Sequence, residues 1–194
     1  MYDWKFDSSN DPLVTVIVPM RNQEHNLSRL VANLRLQTVR NAQFLLIDDG
    51  STDHTFQAAQ ELINGDGRFE VHTKEHTGTG STRNYGIARA HGRYLFFLDA
   101  DDQIAASRTL ETLCEVADRE DVPVCGGSIQ FIKRGKEIVP THAWTPQDEG
   151  VFDSFLCADA LPEEPFEYFL KPGVYRYSEY QYDAGFTRFV FRRD

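Results

Sequence analysis

The chain has 194 residues, room for one large domain or one domain with appendages but not for two full ones. Apolar residues at 41% and charged residues at 26% exclude wholesale disorder. Thirty acidic against twenty basic side chains give a net charge of -10, which argues against nucleic acid as a partner, because a polyanion draws on a dense Lys/Arg face. A small phosphate-bearing ligand would have to be met locally, by a cation, by backbone amides or by a few chosen basic residues.

Residues 1–12 are polar, end in Asp11-Pro12 and read as a lead-in or linker. A β-branched apolar run at 13–18, stopped by Pro19, predicts a buried parallel strand. Leu27, Leu30, Val31 and Leu34 recur at helical spacing and predict an amphipathic helix over 24–37, with Glu24, His25 and Asn26 as caps and first-turn charges. The next buried strand is predicted at 44–47, closed by Asp48-Asp49-Gly50-Ser51. Ser51 or Asp53 can cap a following helix whose inner face is Phe56, Ala59 and Leu62 or Ile63. A third strand at 69–73 leads through a Gly/Thr loop to a small-residue helix near 81–90. A fourth strand, apolar on both faces, spans 94–98 and ends in Asp99-Ala100-Asp101-Asp102, and Leu110, Leu113, Cys114 and Ala117 mark a fourth helix.

Beyond it the pattern changes. Ile129, Phe131 and Ile132, a Lys133-Arg134-Gly135-Lys136 turn and Ile138-Val139 predict an antiparallel hairpin. The strand-helix alternation up to about residue 121 predicts an α/β fold with a Rossmann-like, doubly wound, mostly parallel sheet, followed over 122–194 by a mixed, partly antiparallel part of the same domain. Cys114, Cys125 and Cys157 are odd in number and scattered, which suggests reduced thiols and a cytoplasmic setting. No apolar run approaches the ~18 residues of a membrane span, so contact with the inner face of a membrane is expected only through regions outside this chain.

Three predicted strands end in polar groups at 19–22, 48–53 and 99–102, and open α/β sheets bind ligands in that crevice. A lone Asp after a strand usually caps a helix, the plain reading for Asp53. Several carboxylates gathered at one sheet edge instead repel one another and call for a cation. Hard oxygen ligands suit Mg2+ or Mn2+ carrying a diphosphate.

Val14-Thr15-Val16-Ile17-Val18-Pro19, Asp48-Asp49-Gly50-Ser51-Thr52-Asp53, Arg83-Asn84-Tyr85-Gly86 with Ala90-His91-Gly92-Arg93-Tyr94, and Phe97-Leu98-Asp99-Ala100-Asp101-Asp102 stand in this order. Together they resemble the successive signatures of family 2 glycosyltransferases of the GT-A fold. The resemblance covers residues 13 to about 132, and it implies inverting transfer of a sugar from a nucleotide diphosphate donor, most often a UDP-sugar, to a glycan or lipid-linked acceptor.

By the same resemblance, Pro19 and its neighbours edge the base pocket, Asp49 hydrogen-bonds the base, Arg83 lies near the donor, Asp99 meets the ribose and Asp101 holds the Mn2+ or Mg2+. Plainer roles stay open: Asp49 as a structural carboxylate, Asp102 as a brace, Arg83 as a solvated helix-face charge. One departure stands out. Where the family usually has an aromatic residue after the first strand, this chain has Arg21, so stacking on the base would be guanidinium on ring, which unsettles the uridine preference. The loop 77–80 either wraps the donor phosphates with its amides or is a plain connection.

Inversion requires a base that removes the acceptor hydroxyl proton. In the family it lies in a later Glu-Asp motif, and residues 185–194 resemble the stretch just before it, so the base is expected beyond Asp194 in a longer chain. Asp153, Glu163, Glu164, Glu167 and Asp183 are further acidic candidates for the acceptor side, each otherwise a surface charge, while His72, His76 and His142 have no assigned role. The division expected is a lead-in over 1–12, a nucleotide-sugar-binding part over 13–121 and an acceptor-side part over 122–194. Two other readings compete: a donor-binding module without turnover, and a sugar nucleotidyltransferase. The second would be expected to carry a Gly-rich, basic loop after the first strand, which Pro19-Met20-Arg21-Asn22 does not supply.

Overall fold

A computed structural model of the chain describes residues 11–126, 132–133, 136–137 and 189–193. Strand β1 (Val14–Met20) and strand β2 (Ala42–Asp49) are buried along their whole lengths, as expected of parallel strands covered on both faces. Between them lies helix α1 (Leu27–Arg35), followed after β2 by α2 (Thr55–Ile63), β3 (Phe69–Lys74), α3 (Thr79–Ile87), β4 (Tyr94–Phe97) and α4 (Thr109–Arg119). After α4 come β5 (Val124–Gly126), the short pair β6 (Ile132–Lys133) and β7 (Lys136–Glu137), and β8 (Phe189–Arg192).

Among the described residues the main sheet has six strands in the order β3-β2-β1-β4-β8-β5. The first four are parallel, and β8 inserts antiparallel between β4 and β5, with Phe96 opposite Val190 and Cys125 opposite Val190 on its other side. The fold class expected from the alternation, a mostly parallel sheet with an antiparallel C-terminal part, is the one observed. Among the described residues the buried apolar side chains fall into two groups. Even-numbered positions of β1 pack with Leu27, Leu30, Val31 and Leu34 of α1, Ala59 of α2 and Leu110, Leu113, Cys114 and Ala117 of α4. Ile17, Leu45, Ile47, Leu95 and Phe97 face the other way, towards Tyr85 of α3. Three helices therefore cover one face and α3 covers the other.

Gly86 sets how closely α3 approaches. A Cβ there would lie 2.5 Å from Ile17 Cγ2 and 2.8 Å from Ile47 Cδ1, so only a hydrogen fits.

Several boundaries differ from the sequence expectation, each for a tertiary reason. Pro19 does not stop β1. Leu13 O and Ile17 O accept from the β4 side, from Tyr94 N and Leu98 N, so the missing N–H of Pro19 faces that same side beyond the last β1–β4 pair, Ile17 with Phe97. Helix α1 is shorter than 24–37: at its start Glu24 N donates to Asp53 Oδ2 at 3.5 Å, and past its end Gln37 N turns back to Leu34 O at 3.2 Å while Thr38 N leaves for Ser107 O at 2.8 Å. Helix α2 buries Thr55 and Ala59 rather than Phe56, and neither Ser51 nor Asp53 is its N-cap. The strands β5 and β8 were not anticipated. Of the expected hairpin, Ile132 pairs with Glu137 and Lys133 with Lys136, while Ile129, Phe131, Ile138 and Val139 lie outside the described residues. No helix among the described residues is long and apolar enough to cross a membrane.

Candidate functional site

The strand order places the site. From β1 the chain winds outwards to β2 and β3, then returns to β4 on the opposite side of β1. The crevice at the carboxyl ends of β1 and β4 is thus a topological switch point, where open α/β sheets receive ligands. Asp49 ends β2, Pro19 and Met20 end β1, and Asp99 to Asp102 follow β4, all at that edge. Two strand steps of about 4.8 Å separate β2 from β4.

Asp49 is 5% exposed and fully engaged. Its Oδ1 accepts from Lys74 Nζ at 2.5 Å and from the Thr77 amide at 3.0 Å. Oδ2 accepts from the Gly78 amide at 2.9 Å and lies 2.8 Å from His76 Nδ1, which must carry a proton to donate to an ionised carboxylate. Burial by itself would raise this carboxyl, but Lys74, the Thr77 amide and His76 together hold it far below the ordinary carboxylate range. The loop amides of Thr77 and Gly78, set down from sequence as phosphate wrappers or plain connection, serve Asp49. The loop lies close on the end of β2. Gly50 has φ +67°, and a Cβ there would come within 2.9 Å of His76 N.

On the other side of the crevice, Arg83 of α3 donates from Nη2 to Asp99 Oδ1 at 2.6 Å. The turn that follows is braced by α1. Arg29 Nη2 donates to Asp101 O at 3.2 Å, while Asn33 donates to Ile104 O at 2.9 Å and accepts from Ile104 N at 2.8 Å. The Asp101 side chain is exposed. Partial desolvation and the charges of Asp101 and Asp99 push the Asp102 carboxyl up.

Pro19 is buried in the sheet and Arg21 is exposed on the rim of the crevice. Next to Arg21 the loops after β1 and β2 are knitted together. Asn22, at φ 53°, accepts from Thr52 N at 2.9 Å and donates its own amide to Ser51 Oγ at 2.9 Å. Glu24 Oε2 accepts from His54 N at 2.9 Å at the start of α2, and Asp53 Oδ1 accepts from Thr55 N at 3.0 Å and from Thr55 Oγ1 at 2.5 Å. Glu24 thus caps the neighbouring helix rather than its own. Asp53 closes an Asx turn into α2.

Sequence reasoning gave no role to Lys74, His76 or Asn22 and set Glu24 at the start of its own helix. Only the β2–β3 register, which opposes Asp49 and Lys74, and the folding back of the 75–78 loop bring the first two to Asp49. Asp153, Glu163, Glu164, Glu167, Asp183 and His142 lie outside the described residues.

A divalent cation is implied by the family resemblance, and the oxygens here are of the right kind. Asp99, Asp101 and Asp102 concentrate negative charge that already opposes ionisation of Asp102. Asp99 is engaged by Arg83, and among the described residues no group of three or more His, Cys, Asp or Glu side chains is arranged to hold a metal unaided.

Comparison with known proteins agrees with this geometry. The family model described as Glycosyl transferase family 2 matches residues 15–192. The Escherichia coli UDP-Glc:alpha-D-GlcNAc-diphosphoundecaprenol beta-1,3-glucosyltransferase WfgD is 31% identical over 136 residues, which are 68% of this chain and 53% of that protein. Staphylococcus aureus TarS 1-349, solved in complex with UDP, superposes with a TM-score of 0.58 at 26% identity over 64% of this chain and 37% of its own. The mannosyltransferase PcManGT from Pyrobaculum calidifontis, solved with GDP-Man and Mn2+, superposes with a TM-score of 0.57 at 22% identity over 68% of this chain and 39% of its own, which speaks to the fold alone. The chain spans about half or less of the length of these proteins. The signature residues, the crevice they line and the match along nearly the whole sequence agree: the chain belongs to glycosyltransferase family 2.

Proposed function

We propose that the chain forms the donor-binding part of an inverting glycosyltransferase, which passes a sugar from a nucleotide diphosphate donor, a UDP-sugar, to a glycan or lipid-linked acceptor. The observation that carries the reading is the gathering of Asp49, Arg83 and Asp99 at one switch-point crevice, with Arg83 bonded to Asp99 at 2.6 Å. WfgD, by its name, uses UDP-Glc, and TarS was solved in complex with UDP.

In this reading Asp49 accepts the base N–H. Its four acceptor positions are already used, and the His76 ring, 47% exposed, is the one donor of the four that a base edge can replace without unfolding the loop or uncovering Lys74. Pro19 and its neighbours form the backbone edge of the base pocket, and the Arg21 guanidinium lies over the ring where an aromatic residue is usual. Asp99 meets the ribose, and Arg83, anchored on Asp99, lies near the donor. Asp101, with Asp102 beside it, would hold Mn2+ or Mg2+, which when bound neutralises charge developing on the departing nucleoside diphosphate.

Residues 13–121 bind the donor in this assignment and residues 122–194 serve the acceptor side, with a base expected beyond Asp194. The free thiols of Cys114 and Cys125 support a reducing, cytoplasmic location, at the inner face of the membrane if the acceptor is lipid-linked. Calorimetric titration of UDP and GDP with and without Mn2+ tests the reading. Metal-enhanced binding of UDP, abolished by Asp101→Asn, is expected, and failure of both nucleotides to bind with Mn2+ present overturns it.

A further inference from the structure

We infer that Lys74 is a positioning residue for the donor: it holds the Asp49 carboxylate in the orientation that meets the nucleobase, an inference that rests on the donor-binding reading above. Asp49 and Lys74 are the last register pair between β2 and β3, so the ammonium emerges beside the carboxylate at the ligand edge of the sheet. Its three protons are all placed. Nζ donates to Asp49 Oδ1 at 2.5 Å, to Glu75 O at 2.6 Å and to Thr77 Oγ1 at 2.5 Å. Thr77 Oγ1 in turn donates to Ser81 Oγ at 2.8 Å, in the first turn of α3.

The Lys74 side chain is 13% exposed, so the pair is shielded from water, and removing the ammonium would leave a carboxylate nearly out of solvent. Opposing desolvation, Lys74 is the largest single influence that keeps Asp49 ionised. A flexible lysine stem with a tetrahedral head suits this place. Three acceptors on three different groups surround one nitrogen, an arrangement the planar fork of arginine meets only in part. With Lys74 gone, Asp49 keeps the loop amides and His76 but loses the contact that fixes Oδ1. The carboxylate can then turn towards water, and the base meets an acceptor that is no longer fixed.

Titration of UDP, uridine and pyrophosphate, each with Mn2+, into the wild-type chain and the variants Lys74→Met, Lys74→Arg, Asp49→Asn and the double variant Asp49→Asn/Lys74→Met tests this. Lys74→Met should weaken uridine and UDP about tenfold or more while changing pyrophosphate less than about twofold. Lys74→Arg should restore uridine affinity at least in part, and the double variant should bind uridine no more weakly than Asp49→Asn alone. Equal losses for uridine and pyrophosphate, unchanged uridine affinity in Lys74→Met, or losses that simply add in the double variant overturn the inference. If Lys74→Met does not fold, Lys74→Gln carries the same comparison with the same overturning results. Should Asp49→Asn itself leave uridine binding unchanged, the donor reading of Asp49 fails and takes this inference with it. A selective loss in Asp49→Asn without one at Lys74 overturns the role of Lys74 alone.

Discussion

Arg83 and Asp99 are joined by a 2.6 Å hydrogen bond from Nη2 to Oδ1, which ties the helix on one face of the sheet to the acidic turn at the end of β4. The contact gives a plain role to each residue and a placement to both. The aspartate is kept from turning into the acidic cluster, and the guanidinium is held at the crevice rather than along its helix.

Replacing Arg83 with Ala should weaken UDP binding by about 10- to 100-fold, the range for losing hydrogen bonds to charged groups. Arg83→Lys should recover only part of it, because a point charge cannot hold Asp99 and a phosphate together in one plane. Calorimetry with UDP measures both, and an unchanged dissociation constant in Arg83→Ala removes the residue from the donor site.

Asp101→Asn should erase the gain in UDP affinity produced by Mn2+ and leave metal-free affinity within about twofold of wild type, since the side chain is exposed. Its backbone carbonyl, held by Arg29, is untouched by the change. A full Mn2+ effect in the variant would assign the ion to other oxygens.

Asp49→Ala strips the partly buried Lys74 of its counter-charge, and a loss of up to about 3 kcal/mol at neutral pH is expected from urea unfolding. The sign with pH follows from the carboxyl being held below its ordinary range in the folded chain. Its contribution is complete above the unfolded value of about 3.9 and is lost as pH falls towards the folded one. The stability gap between wild type and variant should therefore be constant from about pH 5 to 8 and narrow below about pH 4. A gap that widens on acidification contradicts the assignment.

Gly86→Ala places a methyl 2.5 Å from Ile17 Cγ2, overpacking the α3 face of the sheet. A cost of about 1–3 kcal/mol is expected, lowering the melting temperature by several degrees. Shortening one opposing side chain with Ile47→Val should return part of the loss in the double variant, whereas simple additivity would place the strain elsewhere.

Much of this was already written along the chain. Alternating apolar runs and helical spacing are local patterns, set by burial on two sheet faces and one helix stripe, and they placed four strands and four helices in order to within a few residues. The polar strand ends marked Asp49 and Asp99 to Asp102 for the same reason, since a carboxylate directly after a fully apolar strand has to lie at a sheet edge. What local pattern cannot carry is which strands become neighbours. The return of β4 to the far side of β1 created the switch point, and the antiparallel entry of β8 between β4 and β5 joined residues far apart along the chain, such as Tyr94 with Arg192 and Cys125 with Val190, through contacts that no short window contains. Likewise Lys74, an ordinary strand-end lysine in the sequence, became the partner of Asp49 only when β2 and β3 came into register, because a hydrogen bond depends on distance in space and not on separation along the chain.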